Sequence, residues 1–311
     1  MRVENRFSIA RQVGTLTPVG SDTYVIVTAD DFGLAIPVND AVEMAAREGV
    51  LTSASLMVGE RAVADAVARA RRMPALGVGL HVVVVDGRPV LPPSRVPALV
   101  DANGRLSDRL VRTGFRYFFS PQCRRQLRAE VRAQFEAFRA TGLPLDHVDA
   151  HRHMHLHPTV LSGILAAARE FQVPAIRVPA EPIMASRGQS LWHRAVLCLQ
   201  RAALAPWLAL VRWRLRRAGI QYNGTVRGLA DTGHMDEATV LRLVPTIGAG
   251  VTEMFFHPAT DAPSPDPLPQ PVRAHVAELE ALCSPRVRAR LEEIGARRGS
   301  WGEIQRNSVR R

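Results

Sequence analysis

The stretch "YVIVTADDFG", Tyr24 to Gly33, decides how the rest of the chain is read. It begins as a buried strand over Tyr24–Thr28 and ends in a polar turn. "PVNDAVEMAAREGV" follows with helical spacing and puts Val38, Ala41, Val42 and Ala45 on one face. "LTSASLMVG" reads as a second strand, "RAVADAVARARRM" as a second helix, and "GVGLHVVVV", Gly77 to Val85, as a third strand. Short apolar strands alternating with helices imply parallel βαβ units and an α/β fold.

The alternation continues outward. "RPVLPPSRVPALVDANGRL" is a Pro-rich loop with a turn at Asn103-Gly104, and "CRRQLRAEVRAQFEAFRATG" is a long amphipathic helix ending near Gly142. "HVDAHRHMHLHP", His147 to Pro158, falls where a strand and its C-terminal loop belong. "VLSGILAAAREFQ" is the next helix and "AIRVP" the next strand. "VTEMFFHPATD" reads as a late strand running into a loop, and "VRAHVAELEALCSPRVRARLEEIGA" as a closing helical region.

The chain has 311 residues, 47% of them hydrophobic, enough for one large core. Its net charge is +11, carried by arginine alone because no lysine is present. A basic surface favours anionic partners but does not bear on the fold. The three scattered cysteines argue against a disulfide framework and a cysteine zinc site, and fit a reducing cytoplasm. The N-terminal residues lack the apolar core of a secretory leader, and no run of about 18 uncharged apolar residues occurs. No helix-turn-helix or zinc-finger pattern is visible, so nucleic acid is not an expected partner.

The polar residues of interest share one placement. Asp30, Asp31, His81, His151 and His257 each lie within or just after an expected strand. In a parallel barrel such residues gather at the C-terminal face of the sheet. Divalent metals bind carboxylate oxygens and neutral imidazoles, and a catalytic site keeps a position open for water. Asp31, His81 and His151 supply such a set. In an extended backbone Asp149, His151, His153 and His155 would share one side, too many groups for one small ion. His151 is expected on the metal, with Asp149, His153 and His155 positioning substrate or orienting the ligands. Plainer readings exist: His81 in "GLHV" also suits a core histidine, and an Asp pair after a strand also caps helices.

Five stretches together resemble the YdjC-like carbohydrate deacetylases: "TADDFG", "GVLTSASLMV", "VGLHV", "HVDAHRHMHLHP" and "EMFFHPATD", in order across residues 22 to 262. The resemblance implies an irregular (β/α) barrel of the sugar-deacetylase type. It also implies one divalent ion on Asp31, His81 and His151 and hydrolysis of an N-acetyl group on an amino sugar. Mixed Asp/His ligation suits Zn²⁺, while family members are described with Mg²⁺. By analogy Asp30 is the general base, although Asp30 and Asp31 can exchange roles. His257 is the expected general acid, ahead of His153 or His155. The chain looks most like hopanoid-biosynthesis-associated HpnK-type members, which implies an N-acetylglucosaminyl hopanoid substrate. Soluble chitooligosaccharide deacetylation and non-catalytic sugar or lipid binding are the alternatives. Two departures, Gly59 after "SLMV" and "DAH" at Asp149–His151, leave the metal set intact.

Between Glu181 and Asp231 there is no acidic residue, but there are eight arginines and three of the four tryptophans. This basic stretch, about residues 187–218, reads as two amphipathic helices broken near Pro206. They would form a hairpin suited to peripheral contact with a membrane surface. The expected organisation is an N-terminal extension over 1–21, a barrel domain over 22–286 carrying the insert, and a helical tail over 287–311. The expected location is cytoplasmic, with peripheral contact at the inner membrane, and the substrate an amino sugar or glycolipid.

Overall fold

The protein is described by a computed structural model covering residues 22–182, 191–266 and 268–309. The N-terminal extension over 1–21 and the first residues of the basic insert lie outside the described residues. In chain order come β1 (Thr23–Phe32), α1 (Ile36–Arg47), β2 (Ser53–Leu56), α2 (Val63–Ala70) and β3 (Gly77–Val82). Two helices follow, α3 (Leu110–Phe119) and α4 (Pro121–Ala140), then β4 (Val148–Ala150) and α5 (Pro158–Ala168). Next are α6 (Leu191–Arg217), β5 (Thr225–Arg227), α7 (Glu237–Leu243) and β6 (Gly250–Phe256). The chain closes with α8 (Val272–Cys283), α9 (Pro285–Glu293), β7 (Arg297–Arg298) and α10 (Trp301–Val309).

Among the described residues the named strands pair in parallel, in the order β4-β3-β2-β1-β6-β5, with β7 against the start of β1. The parallel sheet curls into a half-barrel with helices around it, an α/β fold. Parallel bridges Val148–Ile176 and Ala175–Gln221 carry the curl beyond β4. "AIRVP" therefore joins the sheet only as irregular chain. It lacks a regular strand because its backbone pairs at single points, Ile176 with Gln221 and Arg177 with Val148.

β1 is buried on both faces, as a central parallel strand must be. Val25, Val27 and Ala29 belong to the main core under the helices, whereas Tyr24 and Ile26 pack with Trp301 and Ile304. The interior side of β1 then rises through Thr28 to Asp30. Thr28 donates to Glu253 Oε1 at 2.8 Å. The barrel is thus apolar at its base and polar toward the strand C-termini.

Local chemistry explains the helix starts. Ser120 caps α4 by accepting from the Cys123 N–H, with Pro121 at the first helical position. His157 caps α5 in the same way through the Thr159 N–H, ahead of Pro158. The cap position of α1 is Ala35, without a side-chain cap, so the Asp30–Asp31 pair does not cap that helix.

Two expectations fail. α6 runs unbroken from Leu191 through Pro206 to Arg217, so the stretch does not form a hairpin. An interior proline costs a helix about 3 kcal/mol. Tertiary contacts offset that penalty: Trp207 Nε1 donates to the Leu156 carbonyl, and Val211 and Leu215 are fully buried. Three of its arginines also bond to the body of the protein. Arg212 donates to the Gly224 carbonyl, Arg214 to Ser162 Oγ and Arg216 to the Tyr222 hydroxyl. The second failure is the extended reading of 149–155. After Ala150 the backbone leaves the strand, and Arg152 and His153 take left-handed conformations (φ 55° and 53°). Alternate residues there do not share a side.

Candidate active site

Asp30 and Asp31 are neighbours on a strand and would ordinarily point to opposite faces. The β1–β2 register shifts between Ala29 and Phe32, and Asp31 sits at φ 63°. This bulge turns Asp31 back, so both carboxylates line one cavity of about 230 Å³ at the strand C-termini. His81, His151, His153 and His257 line the same cavity. Among the described residues, five non-glycine residues have positive φ, and four of them, Asp31, Asp86, Arg152 and His153, surround this site. Backbone strain of that kind persists where the surrounding structure holds it, characteristically at functional sites.

The Asp31 Oδ1 atom lies 3.3 Å from His81 Nε2 and 3.1 Å from His151 Nδ1. The far nitrogen of His81, Nδ1, is 2.8 Å from Asp149 Oδ1, which directs Nε2 into the site. The Asp149 carboxylate also accepts from Ser55 Oγ at 2.9 Å and forms an ion pair with Arg177 at 2.8 Å. Ser55 Oγ further meets His147 Nε2 at 3.0 Å. The His147 ring lies over Gly79, where a Cβ would come within 2.5 Å of it; only glycine leaves that room.

Arg177 is completely buried. It donates to both oxygens of Asp30, at 2.7 and 2.8 Å, and to both of Glu253, at 2.8 and 2.9 Å. One guanidinium thus serves three buried carboxylates, geometry that its planar fork makes and lysine cannot.

Burial alone would raise the Asp31 carboxyl. The charge on His151 and hydrogen bonds from His151 and His81 outweigh burial and hold it well below the usual carboxylate range. Burial likewise pushes His81 down, but Asp149 and Asp31 draw it well above the usual imidazole value. His151 is raised through Asp31 and Asp86 against the same burial cost. Burial, with the neighbouring His155 and Arg177 charges, pushes His153 down to about 3.

Two sets of ligand-type atoms lie within 4.8 Å of one another among the described residues: Asp31–His81–His151 and Asp30–His81–Asp149. The second set has the Arg177 charge on two of its three members, which disfavours a cation. In the first, Asp31 Oδ2 is buried without a hydrogen-bond partner. One carboxylate with an unsatisfied oxygen and two imidazoles fit a divalent ion.

Of the other expected residues, His153 lines the cavity with its Nδ1 unpartnered and its ring edge-on to Phe255. His257 lines the cavity from the end of β6. α8 holds its backbone: the His257 N–H donates to Glu278, and His275 Nδ1 bonds the His257 carbonyl. Asp149 and His155 are fully buried and do not line the cavity. Asp149 points at His81 because β3 and β4 pair His81 directly opposite it.

Reading the sequence missed Arg177, Glu253, Ser55 and Asp86. Asp86 Oδ2 lies 3.9 Å from His151 Nε2 and 2.7 Å from Arg152. Arg177 left a signal: a charged residue between Ile176 and Val178 in an apolar run must find buried carboxylates. The carboxylates themselves come from strands far away in sequence.

A family model described as YdjC-like protein matches residues 24–293. A carbohydrate deacetylase of Brevibacillus brevis is 43% identical over 157 residues, 50% of this chain and 59% of that protein. A carbohydrate deacetylase of Oceanobacillus iheyensis is 39% identical over 155 residues, 48% of this chain and 63% of that protein. The chain thus aligns with less than two thirds of the length of these relatives. A crystal structure of a candidate cellobiose-phosphate cleavage protein from Enterococcus faecalis superposes with a TM-score of 0.67 at 24% identity. The superposition covers 91% of this chain and 99% of that one, and shows a shared fold.

Proposed function

Because the chain belongs to the YdjC-like protein family, we propose that it is a metal-dependent carbohydrate N-deacetylase that hydrolyses the acetamido group of an amino sugar. The observation that carries this reading is the Asp31–His81–His151 set with its unsatisfied Asp31 oxygen, beside an Asp30 gripped by Arg177. The carbohydrate deacetylases named above support the reaction class.

Asp31, His81 and His151 would hold the ion. When bound, a divalent metal polarises an amide carbonyl and makes water a better nucleophile. Asp30 takes a proton from the attacking water, and Arg177 keeps its carboxylate aimed at the cavity. Asp149 holds His81 in the tautomer that leaves Nε2 free. His257 gives a proton to the leaving amine. His153, held neutral by burial, is unsuited to that step and contacts the sugar instead. Water is consumed, and acetate and a free amino sugar leave.

The finer substrate is an N-acetylglucosaminyl lipid of the hopanoid class, a reading supported by the sequence resemblance. A lipid-linked sugar entails approach to a membrane surface, and the basic stretch 187–218 is the sequence's candidate for that contact. No helix among the described residues is long and apolar enough to cross a membrane.

The test is acetate release by protein loaded in turn with Zn²⁺ and Mg²⁺. The substrates are an N-acetylglucosaminyl lipid and a soluble chitooligosaccharide. Release from either that disappears on chelation supports the reading. Absence of release from every N-acetyl sugar under both metals would overturn it.

A further inference from the structure

α3 shows two unlike faces. Its inner side is anchored: Tyr117 donates its hydroxyl to the Val84 carbonyl, and Thr159 Oγ1 donates to the Tyr117 carbonyl. Its outer side exposes Val111 (76%), Phe115 (62%) and Phe119 (68%), spaced one turn apart, with Phe118 edge-on to Phe119. Isolated apolar residues on a surface need no explanation, but a contiguous aromatic stripe does.

This stripe walls a groove of about 470 Å³ whose floor is Met154 and His157. Those residues belong to the segment that also carries His151 and His153. Leu110 lines both the groove and the catalytic cavity. The two spaces therefore adjoin, one lined by carboxylates and imidazoles, the other by apolar side chains. The lining is almost wholly apolar, which suits contact with an aliphatic group laid along the surface.

We propose that the α3 groove is a binding site for the apolar aglycone of the substrate, an aliphatic body glycosidically linked to the acetamido sugar in the adjoining cavity, for which an alkyl chain serves as the probe. The proposal rests on the deacetylase reading for the sugar half only. The occupant follows from continuity: a molecule that reaches both spaces through Leu110 must be polar at one end and aliphatic at the other. The sequence pointed to the arginine-rich insert for lipid contact; the exposed apolar surface beside the cavity lies on α3.

The experiment separates the two halves. Calorimetry with methyl and octyl β-glucoside, which lack the acetamido group, reads the groove alone below the micelle concentration. Octyl glucoside should bind the full chain at least about tenfold more tightly than methyl glucoside, since each buried methylene adds affinity. The double variant Phe115→Ser, Phe119→Ser should lose that preference. Both positions are exposed, so folding should survive, with an unchanged circular dichroism spectrum. Its kcat/KM for methyl N-acetylglucosaminide should equal that of the unmodified protein, while the gain with the octyl glycoside disappears. Equal binding of both glucosides by the unmodified protein would overturn the proposal, as would a preference that survives in the variant. Sedimentation that shows a dimer dissociated by the two changes would assign the stripe to a second copy of the chain instead. Octyl preference without acetate release from any sugar would leave the groove standing and remove the deacetylase reading.

Discussion

Arg177 grips Asp30 through two parallel hydrogen bonds of 2.7 and 2.8 Å, with both side chains buried. The same guanidinium reaches Asp149 and Glu253. Removing it strands three carboxylates in the barrel interior. Breaking a buried ion pair from one side costs about 3–5 kcal/mol. Arg177→Met should therefore lower the unfolding free energy by at least that amount in urea titrations. An unfolding midpoint equal to that of the unmodified protein would show that the carboxylates do not depend on this charge.

Asp30→Asn should retain the metal and lose about 10²–10⁴-fold in kcat, because the base is removed while the ligands remain. Metal content by elemental analysis, alongside kcat, separates the roles of the pair. Loss of metal with activity restored by excess ion would exchange the assignments of Asp30 and Asp31.

Asp149→Asn should bind metal about 10–100-fold more weakly, because the group that fixes His81 loses its charge. Competition with a chelating dye measures this. Unchanged affinity would mean that packing alone holds His81.

His81 and His151 are both raised above the usual imidazole value in the metal-free site, through Asp149, Asp31 and Asp86. Both therefore hold a proton to higher pH than an ordinary imidazole, and a metal must displace any proton they carry. The apparent affinity should fall as pH falls, by about tenfold per unit for each proton displaced. Calorimetry in two buffers of different ionisation enthalpy counts the protons. Heats that do not depend on the buffer would show the imidazoles already neutral.

Asp31→Asn should fold normally and lose the metal, since asparagine tolerates the left-handed backbone at this position but lacks the charge. Asp31→Val should also lose stability, because a β-branched residue is strained there. Comparable melting temperatures for the two variants would remove the conformational part of this account.

Much of the fold was legible because parallel strands buried on both faces read as short apolar runs: β1, β2 and β3 fall on "YVIVT", "LTSASLMVG" and "GVGLHVVVV", although β1 runs on to Phe32 and β3 stops at Val82. α3 and β5 escaped that reading. α3 turns an aromatic face to solvent, and β5 has only three residues. Strand-end placement also brought Asp30, Asp31, His81, His151 and His257 into one group, because a parallel barrel delivers strand C-termini to one face.

Three features were decided by tertiary structure alone. Asp31 faces the cavity beside Asp30 because β1 bulges against β2, which no local spacing records. Asp149 became the partner of His81 because the β3–β4 register sets them opposite each other across 68 residues of chain. Arg177 became the centre of the site because the barrel encloses a volume in which Asp30, Asp149 and Glu253 meet, and buried carboxylates there require a shared cation. The sequence by itself determined which residue types arrive at the strand ends, since periodicity is a property of neighbours along the chain. Which of them touch is a property of strand register and of the curl of the sheet, set by contacts between segments that are distant in sequence.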